Sequence, residues 1–238
     1  MANFPFQRLQ SDLAALIERT PAGSRLVSEP ELAKQLHVSR ATLREAMRTF
    51  ETQGLIRRRQ GAGTFVVGKV PVIDAGLEVL ESLETMARRL NLAITVSDLN
   101  IERVDADDDH IAELSVAVGS CVTRIRRVMR ADTRPVSYLI DTLPEDVLKM
   151  EDLPEEFDGS VLDFMLERGD DLRISRAAIS ATNATAEVAK ALEIQRGDVL
   201  LKFASQLYTA EARVVDYTVS YFIPGYFNFH VVRRVGNS

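Results

Sequence analysis

The hydrophobic positions of the first 68 residues follow helical spacing in three short segments. Apolar residues recur three and four positions apart between Pro5 and Thr20, where a Pro-Ala-Gly turn follows. Ser28-Glu-Pro-Glu31 has the form of a capping box, which predicts the start of a second helix. A third helix is predicted from Ser39 to Gly54. Its apolar stripe consists of Leu43, Ala46, Met47 and Phe50.

A β-prone segment rich in glycine follows the third helix. Leu55–Gln60 and Thr64–Val67 flank Gly61-Ala-Gly63, which predicts a hairpin, or wing, beside the three helices. Gly68-Lys-Val-Pro71 is typical of a linker. We therefore expect a winged helix-turn-helix domain at residues 1–68, a linker at 69–75 and a second domain at 76–238.

The second domain has the pattern of an α+β fold. Helical spacing runs from Leu77 to Leu90, and further helices are predicted at Ser160–Arg168 and Ala184–Leu192. The predicted strands are Ser120–Ala131, Pro135–Leu143, Arg173–Thr182, Val199–Tyr208 and Arg213–Ile223, with Phe227–Arg233 as a candidate sixth. Parallel strands need a helix in most connections, and only some gaps here hold one. A mixed or antiparallel sheet is therefore expected.

Composition limits the classes of function. The chain has 238 residues, 46% of them hydrophobic and 27% charged, as in ordinary globular proteins. No segment approaches the ~18 consecutive apolar residues of a membrane span, so no membrane partner is expected. One cysteine and three scattered histidines leave no Cys/His metal cluster, although an all-carboxylate site stays open. We expect a cytoplasmic protein with neither a metal nor an organic cofactor.

The charge is divided unevenly between the two domains. The net charge of the whole chain is -6. Residues 1–68 carry ten Lys and Arg against six Asp and Glu, which is +4, and the remainder carries 19 against 29, which is -10. This asymmetry predicts a small basic domain that faces a polyanion and an acidic domain with another task.

The third predicted helix carries basic residues at helical spacing. Arg40, Arg44 and Arg48 lie four residues apart, so they share a face away from the apolar stripe. Ser39 and Thr42 lie near the N-terminus of the helix, where hydroxyls and free amides can hold a phosphate. This arrangement suits a reader of the DNA major groove. The alternative is a solvated basic face on a core helix.

Three segments of this region resemble the GntR family of transcription regulators. They are Gly23-Ser-Arg-Leu-Val-Ser-Glu-Pro-Glu-Leu-Ala33, Val38-Ser-Arg-Ala-Thr-Leu-Arg-Glu-Ala46 and Gly54-Leu-Ile-Arg-Arg-Arg-Gln-Gly-Ala-Gly-Thr-Phe-Val66. The resemblance spans nearly all of residues 5–67. It departs from the family pattern at Val27, where proline is usual, and at Pro30, where an arginine often contacts a phosphate.

The resemblance implies a DNA-binding surface. It assigns operator contacts to Arg40, Thr42 and Arg44, and it places Gln60-Gly61 at a wing tip that enters the minor groove. Phosphate contacts are expected from the helix N-termini and from Arg57, Arg58 and Arg59. Arg25 or Lys34 is a candidate to supply the phosphate contact that a proline at position 30 cannot make.

In the second domain, strand alternation singles out Arg127. Within the predicted strand Cys121–Arg130, it is the lone charge on the more apolar face. A buried guanidinium needs a fixed anionic partner. That partner is either an anionic ligand or an internal acid such as Asp141 or Asp216.

Further features are spread over roughly residues 75–235, namely Arg127, Ala131-Asp132, Pro135-Val136, Leu143-Pro144, Ser160-Val-Leu, Ala184–Leu192 followed by Gly197-Asp-Val-Leu, and Val215-Asp216. With these features the second domain resembles the UTRA effector domain of HutC-type GntR regulators, which has a chorismate-lyase-like α+β fold. The resemblance implies an effector site with Ser82, Ser160, Arg127 and Asp216, lined by Tyr217 or Tyr221. Each serine is otherwise a helix cap. The second arginine that phosphosugar-binding members often carry is Met129 here. The expected effector is a phosphorylated sugar, a phosphonate or an organic acid.

Together these features predict an effector-controlled regulator, by default a repressor, that binds double-stranded operator DNA as a homodimer. A chorismate-lyase-like enzyme acting on a small organic acid is the main alternative, but the sequence has no Ser/His/Asp arrangement, P-loop or dinucleotide fingerprint. An architectural nucleoid protein is a third class, and such a protein would not need a large acidic domain.

Overall fold

The computed structural model describes residues 4–59, 62–67 and 73–233. The chain divides into two compact units, Met1–Val72 and Ile73–Ser238. Residues 68–72 of the predicted linker region lie outside the described residues. The structure corrects the rest of that prediction, because residues 73–75 belong to a strand of the second unit.

The first unit consists of three helices and a hairpin, as the sequence predicts. They are α1 (Phe4–Arg19), α2 (Glu29–Gln35), α3 (Arg40–Thr52), β1 (Ile56–Arg59) and β2 (Gly63–Val66). The apolar stripe of α3 packs against α1, α2 and the hairpin in one core, which includes Leu13, Leu32 and Leu43. Ser28 precedes α2 but makes no capping hydrogen bond through its side chain, so the expected capping box is absent.

The second unit is built on a six-stranded sheet in which every pairing is antiparallel. In spatial order its strands are β4 (Ile94–Asp105), β5 (Cys121–Ala131), β6 (Arg134–Pro144), β9 (Val214–Phe222), β8 (Val199–Thr209) and β7 (Leu172–Asn183). A separate parallel pair joins β3 (Ile73–Gly76) to β10 (Phe227–His230). The helices are α4 (Leu83–Arg89), α5 (Asp108–Leu114), α6 (Val161–Arg168) and α7 (Ala186–Ala191).

This architecture confirms the α+β class, although several elements differ from the prediction. The sequence pattern does not predict strand β4, because it lies at the edge of the sheet and has no regular alternation of buried and exposed residues. The helix predicted from Leu77 begins only at Leu83. Leu77 and Leu80 are 40% and 50% exposed, so their helical spacing marks no buried face.

Among the residues that the structure describes, no helix is long and apolar enough to cross a membrane. Within the same residues, no group of three or more His, Cys, Asp or Glu side chains is arranged to hold a metal ion.

Candidate DNA-binding groove and effector site

The N-terminus of α3 is held by its own hydroxyls. Ser39 is the N-cap, and its Oγ accepts a hydrogen bond of 3.0 Å from the backbone N–H of Thr42. Ser39 Oγ also lies 2.8 Å from Thr42 Oγ1. Both side chains remain exposed, so the helix presents hydroxyl groups where the positive end of its dipole lies.

A groove of about 740 Å³ lies beside this helix end, within the first unit. Its lining consists of Arg25, Leu26, Val27, Ser28, Glu29, Pro30, Arg40, Arg44, Arg58, Arg59, Gly63 and Thr64. Four of these residues were predicted to bind DNA, namely Arg40, Arg44, Arg58 and Arg59. With Arg25, the lining holds five arginines, which suits the phosphate backbone of DNA.

Arg44 is held in place by contacts that the sequence does not predict. Its Nε donates a hydrogen bond of 2.6 Å to Glu29 Oε2, although the Arg44 side chain is 55% exposed. Arg58 Nη2 donates a hydrogen bond of 3.2 Å to the backbone carbonyl of Arg44. Arg44 is thus braced through both its side chain and its backbone.

The three arginines of β1 do not act alike. Arg57 and Arg59 are exposed, and Arg59 lies over the ring of Phe65 at 5.3 Å. Arg58 points the other way, and its Nε lies 3.4 Å from a carboxylate oxygen of Glu51 on α3. Arg58 therefore braces α3.

Two further positions bear on the wing. Gln60 and Gly61, the predicted wing tip, lie outside the described residues. Gly63 has a φ of +112°, and a Cβ there would lie 2.5 Å from Arg25 Nε. Glycine at this position therefore lets Arg25 pass close to the wing backbone and line the groove. Lys34 does not line the groove.

In the second unit, Arg127 is buried and ion-paired within the chain. It is 4% exposed, its Nη1 donates to Asp141 Oδ2, and its Nε donates a hydrogen bond of 3.2 Å to Glu84 Oε1. Burial alone lowers the pKa of Arg127, but the carboxylates of Asp141 and Glu84 outweigh this effect and raise it. Of the two partners that the sequence left open, the structure contains the internal acid.

Asp216 joins the same cluster through a shared hydroxyl. Thr218 Oγ1 lies 2.9 Å from Asp141 Oδ1 and 2.9 Å from Asp216 Oδ2. A hydroxyl has one proton to donate, so the two carboxyl groups share a single donor. Burial, followed by the charge of Asp141, raises the pKa of Asp216 well above its ordinary value. Asp216 is thus a buried acid held next to a second acid, Asp141, through Thr218.

Three acids share one buried arginine in this cluster. Arg127 donates hydrogen bonds to two of them, Asp141 and Glu84. Among the described residues, Asp141 has two partners, whereas Glu84 is held only through Oε1 and its buried Oε2 has no hydrogen-bond partner. Glu84 is thus the more weakly held of the two.

The predicted serines occupy helix ends next to the cluster. Ser82 Oγ accepts 2.9 Å from the N–H of Thr85 and donates 2.7 Å to Asp163 Oδ2, and Ser160 Oγ accepts 3.4 Å from the N–H of Asp163. Both serines are caps, as the alternative interpretation predicts. Asp163 thereby joins α4 to α6 on the Arg127 side of the sheet.

The structure corrects the placement of the two tyrosines. Tyr217 and Tyr221 alternate along β9 with Asp216 and Thr218, so they lie on the opposite face of the sheet. There Tyr221 stacks on Tyr138 with 6.4 Å between ring centres. Neither tyrosine lines a site at Arg127.

Comparisons with known proteins match each of the two units to a known domain. The profile described as "Bacterial regulatory proteins, gntR family" matches residues 6–66, and the profile of the UTRA domain matches residues 89–228. The HTH-type transcriptional repressor NagR of Bacillus subtilis is 28% identical over 197 residues, 82% of this chain and 79% of that protein. The probable fructoselysine utilization operon transcriptional repressor of Escherichia coli is 27% identical over 201 residues, 83% and 80% of the two chains.

A solved structure agrees at the level of the fold. PhnF from Mycobacterium smegmatis superposes with a TM-score of 0.65 at 21% identity, covering 96% of this chain and 100% of that one. At this identity the likeness shows the fold alone. It extends over both units of the chain.

Proposed function

The chain belongs to the GntR family of bacterial regulatory proteins, carries a UTRA domain and is a DNA-binding transcriptional regulator, and from this premise we propose that it is a cytoplasmic repressor released from its operator by a small anion. The groove with five arginines at the N-terminus of α3 carries the DNA-binding part of the proposal. Arg40, Thr42 and Arg44 read base edges there. Arg57 and Arg59, with Arg25, neutralise phosphates, and Ser39 offers a further phosphate contact.

The repressor acts as a homodimer, because one winged helix reads only a short half-site. The edge strand β7 supports a second copy as the partner. The outer side of β7 has no neighbouring strand in the described sheet. Two isoleucines of this strand, Ile174 and Ile179, are 65% and 47% exposed. An edge strand with such side chains favours pairing with another chain.

We expect the chain to sediment as a dimer of 26.5 kDa subunits, and Ile179→Lys to weaken the dimer by about tenfold or more, ~1.4 kcal/mol. A charge on the outer edge opposes strand pairing. Sedimentation equilibrium measures the change. Val118→Lys is the matched control, since Val118 is 87% exposed outside β7. A monomeric wild-type chain, or equal effects of both substitutions, would contradict this assignment.

The proposed effector site is the Arg127 cluster. A phosphorylated sugar, a phosphonate or an organic acid would bind the guanidinium in place of Glu84. Two observations support Glu84 as the displaced group: among the described residues it accepts one hydrogen bond, from Arg127, and its buried Oε2 has no hydrogen-bond partner. Removing α4 from Arg127 loosens the helix that follows β3, the first strand of this unit. The ligand thereby distinguishes two states of the unit, as allosteric control requires.

Glu84→Gln is expected to bind inorganic phosphate about tenfold more tightly than the wild-type chain, measured by isothermal titration calorimetry, since a competing charge is removed. Glu81→Gln is the matched control, because Glu81 pairs with Arg89 and does not touch Arg127. Arg127→Met should abolish binding. Weaker phosphate binding by Glu84→Gln would instead make Glu84 a ligand group and favour a cationic effector.

The enzymatic alternative is tested with the same protein. The family and the relatives are regulators, and the proposal assigns the chain no catalytic role. Salt-sensitive, sequence-specific binding to the DNA upstream of its own gene, released by an anion, is expected in a gel-shift assay. Turnover of a small organic acid without DNA binding would favour the enzyme.

A further inference from the structure

We propose that Glu29 is a positioning residue that sets the DNA sequence specificity of this regulator. It holds Arg44 for base reading and repels the DNA backbone at the same place. The inference builds on the proposed role of Arg44. It adds a residue to which the family resemblance assigns no function.

The geometry places Glu29 between two arginines. Its Oε2 accepts the 2.6 Å hydrogen bond from Arg44 Nε, and its Oε1 lies 3.9 Å from Arg58 Nε. Arg58 is fixed in turn, because its backbone N–H donates a hydrogen bond of 3.2 Å to Glu51 Oε1. Glu29 is 20% exposed by side chain, and so it is the better-buried member of its pair with Arg44.

This contact leaves Arg44 suited to guanine. With Nε engaged by Glu29, the two terminal nitrogens Nη1 and Nη2 remain as a pair of parallel donors. Guanine presents two matching acceptors, O6 and N7, in the major groove. A long flexible side chain loses rotamer freedom when it binds, and a side chain already held in place loses less. Glu29 thus lowers the entropic penalty of base reading by Arg44.

Glu29 also opposes contact with DNA of any sequence. Among the described residues that line the groove, it is the sole acid beside five arginines. A carboxylate there repels every phosphate backbone equally, whereas its hold on Arg44 helps only where a guanine is in register. Exposed ion pairs contribute little to folding, so the contact is not explained by stability. Discrimination between operator and random DNA is the property that it serves.

The test compares Glu29→Gln with the wild-type chain by fluorescence anisotropy at several salt concentrations. The probes are the operator segment located by footprinting in the upstream DNA and a random duplex of equal length. We expect the variant to bind random DNA several-fold more tightly and the ratio of operator to random affinity to fall about tenfold. In an Arg44→Ala background, Glu29→Gln should leave that ratio unchanged.

Glu31→Gln is the matched control, because Glu31 is an exposed acid on the same helix that does not line the groove. It should change both affinities equally. An unchanged operator-to-random ratio in Glu29→Gln would show that Glu29 acts on all DNA equally through its charge, which would overturn the inference. If Arg44→Ala itself leaves the ratio unchanged, the base-reading role proposed for Arg44 fails first.

Discussion

Replacing Arg44 by alanine is expected to remove about 1–3 kcal/mol of operator discrimination at each half-site, the contribution of a bidentate arginine–guanine contact. Because a dimer uses two half-sites, the two losses multiply, and the ratio of operator to random affinity should fall by about 30-fold to about 2 × 10⁴-fold. Arg44 lies on the groove side of α3, and Glu29 and Arg58 already fix its position. Anisotropy titrations against operator and random duplexes measure the ratio.

Arg57→Ala supplies the contrast for that measurement. Arg57 is exposed on β1 on the side opposite Arg58, and we assign it a phosphate contact. Its loss should weaken operator and random DNA alike and reduce the salt slope by about one for each half-site, or about two for the dimer. A uniform loss for Arg44→Ala as well would show that Arg44, too, contacts only phosphate.

The first unit could be predicted in nearly full detail because its signals are local. Helical spacing, turn residues and the family motif all fall within residues 5–67. Strand parity also separates Arg58 from Arg57 and Arg59, since Arg58 shares a side with the buried Ile56. Glu29 escaped prediction because its pairing with Arg44 joins two helices, and spacing within one helix carries no signal for it.

Contacts between separate elements also limited the prediction of the effector site, and more strongly. Alternation along β5 correctly marked Arg127 as a charge that needs a partner. Asp141 was among the candidates, but Glu84 was not, because it reaches Arg127 from a separate helix, α4. The tyrosine error had a signal in the sequence: Tyr217 directly follows Asp216 in a strand, so the two must face opposite ways.

The stability of the second unit is expected to depend strongly on Arg127. Removing one member of a buried ion pair leaves an uncompensated charge, which typically destabilises a protein by about 3–5 kcal/mol. In this cluster both Asp141 and Glu84 would lose their cation. All five tyrosines lie in the second unit and the chain has no tryptophan. Tyrosine fluorescence therefore follows unfolding of this unit alone.

Arg127→Met is accordingly expected to lower the free energy of unfolding of the second unit by about 3–5 kcal/mol at pH 7, measured by urea titration of tyrosine fluorescence. Without the guanidinium, Asp141 and Glu84 would stay buried with no cation beside them, which accounts for the loss. Asp216→Asn is the control. Burial raises the pKa of Asp216, so a neutral amide in its place should cost little stability. A deficit for Arg127→Met no larger than that of Asp216→Asn would contradict the assigned ion pairs.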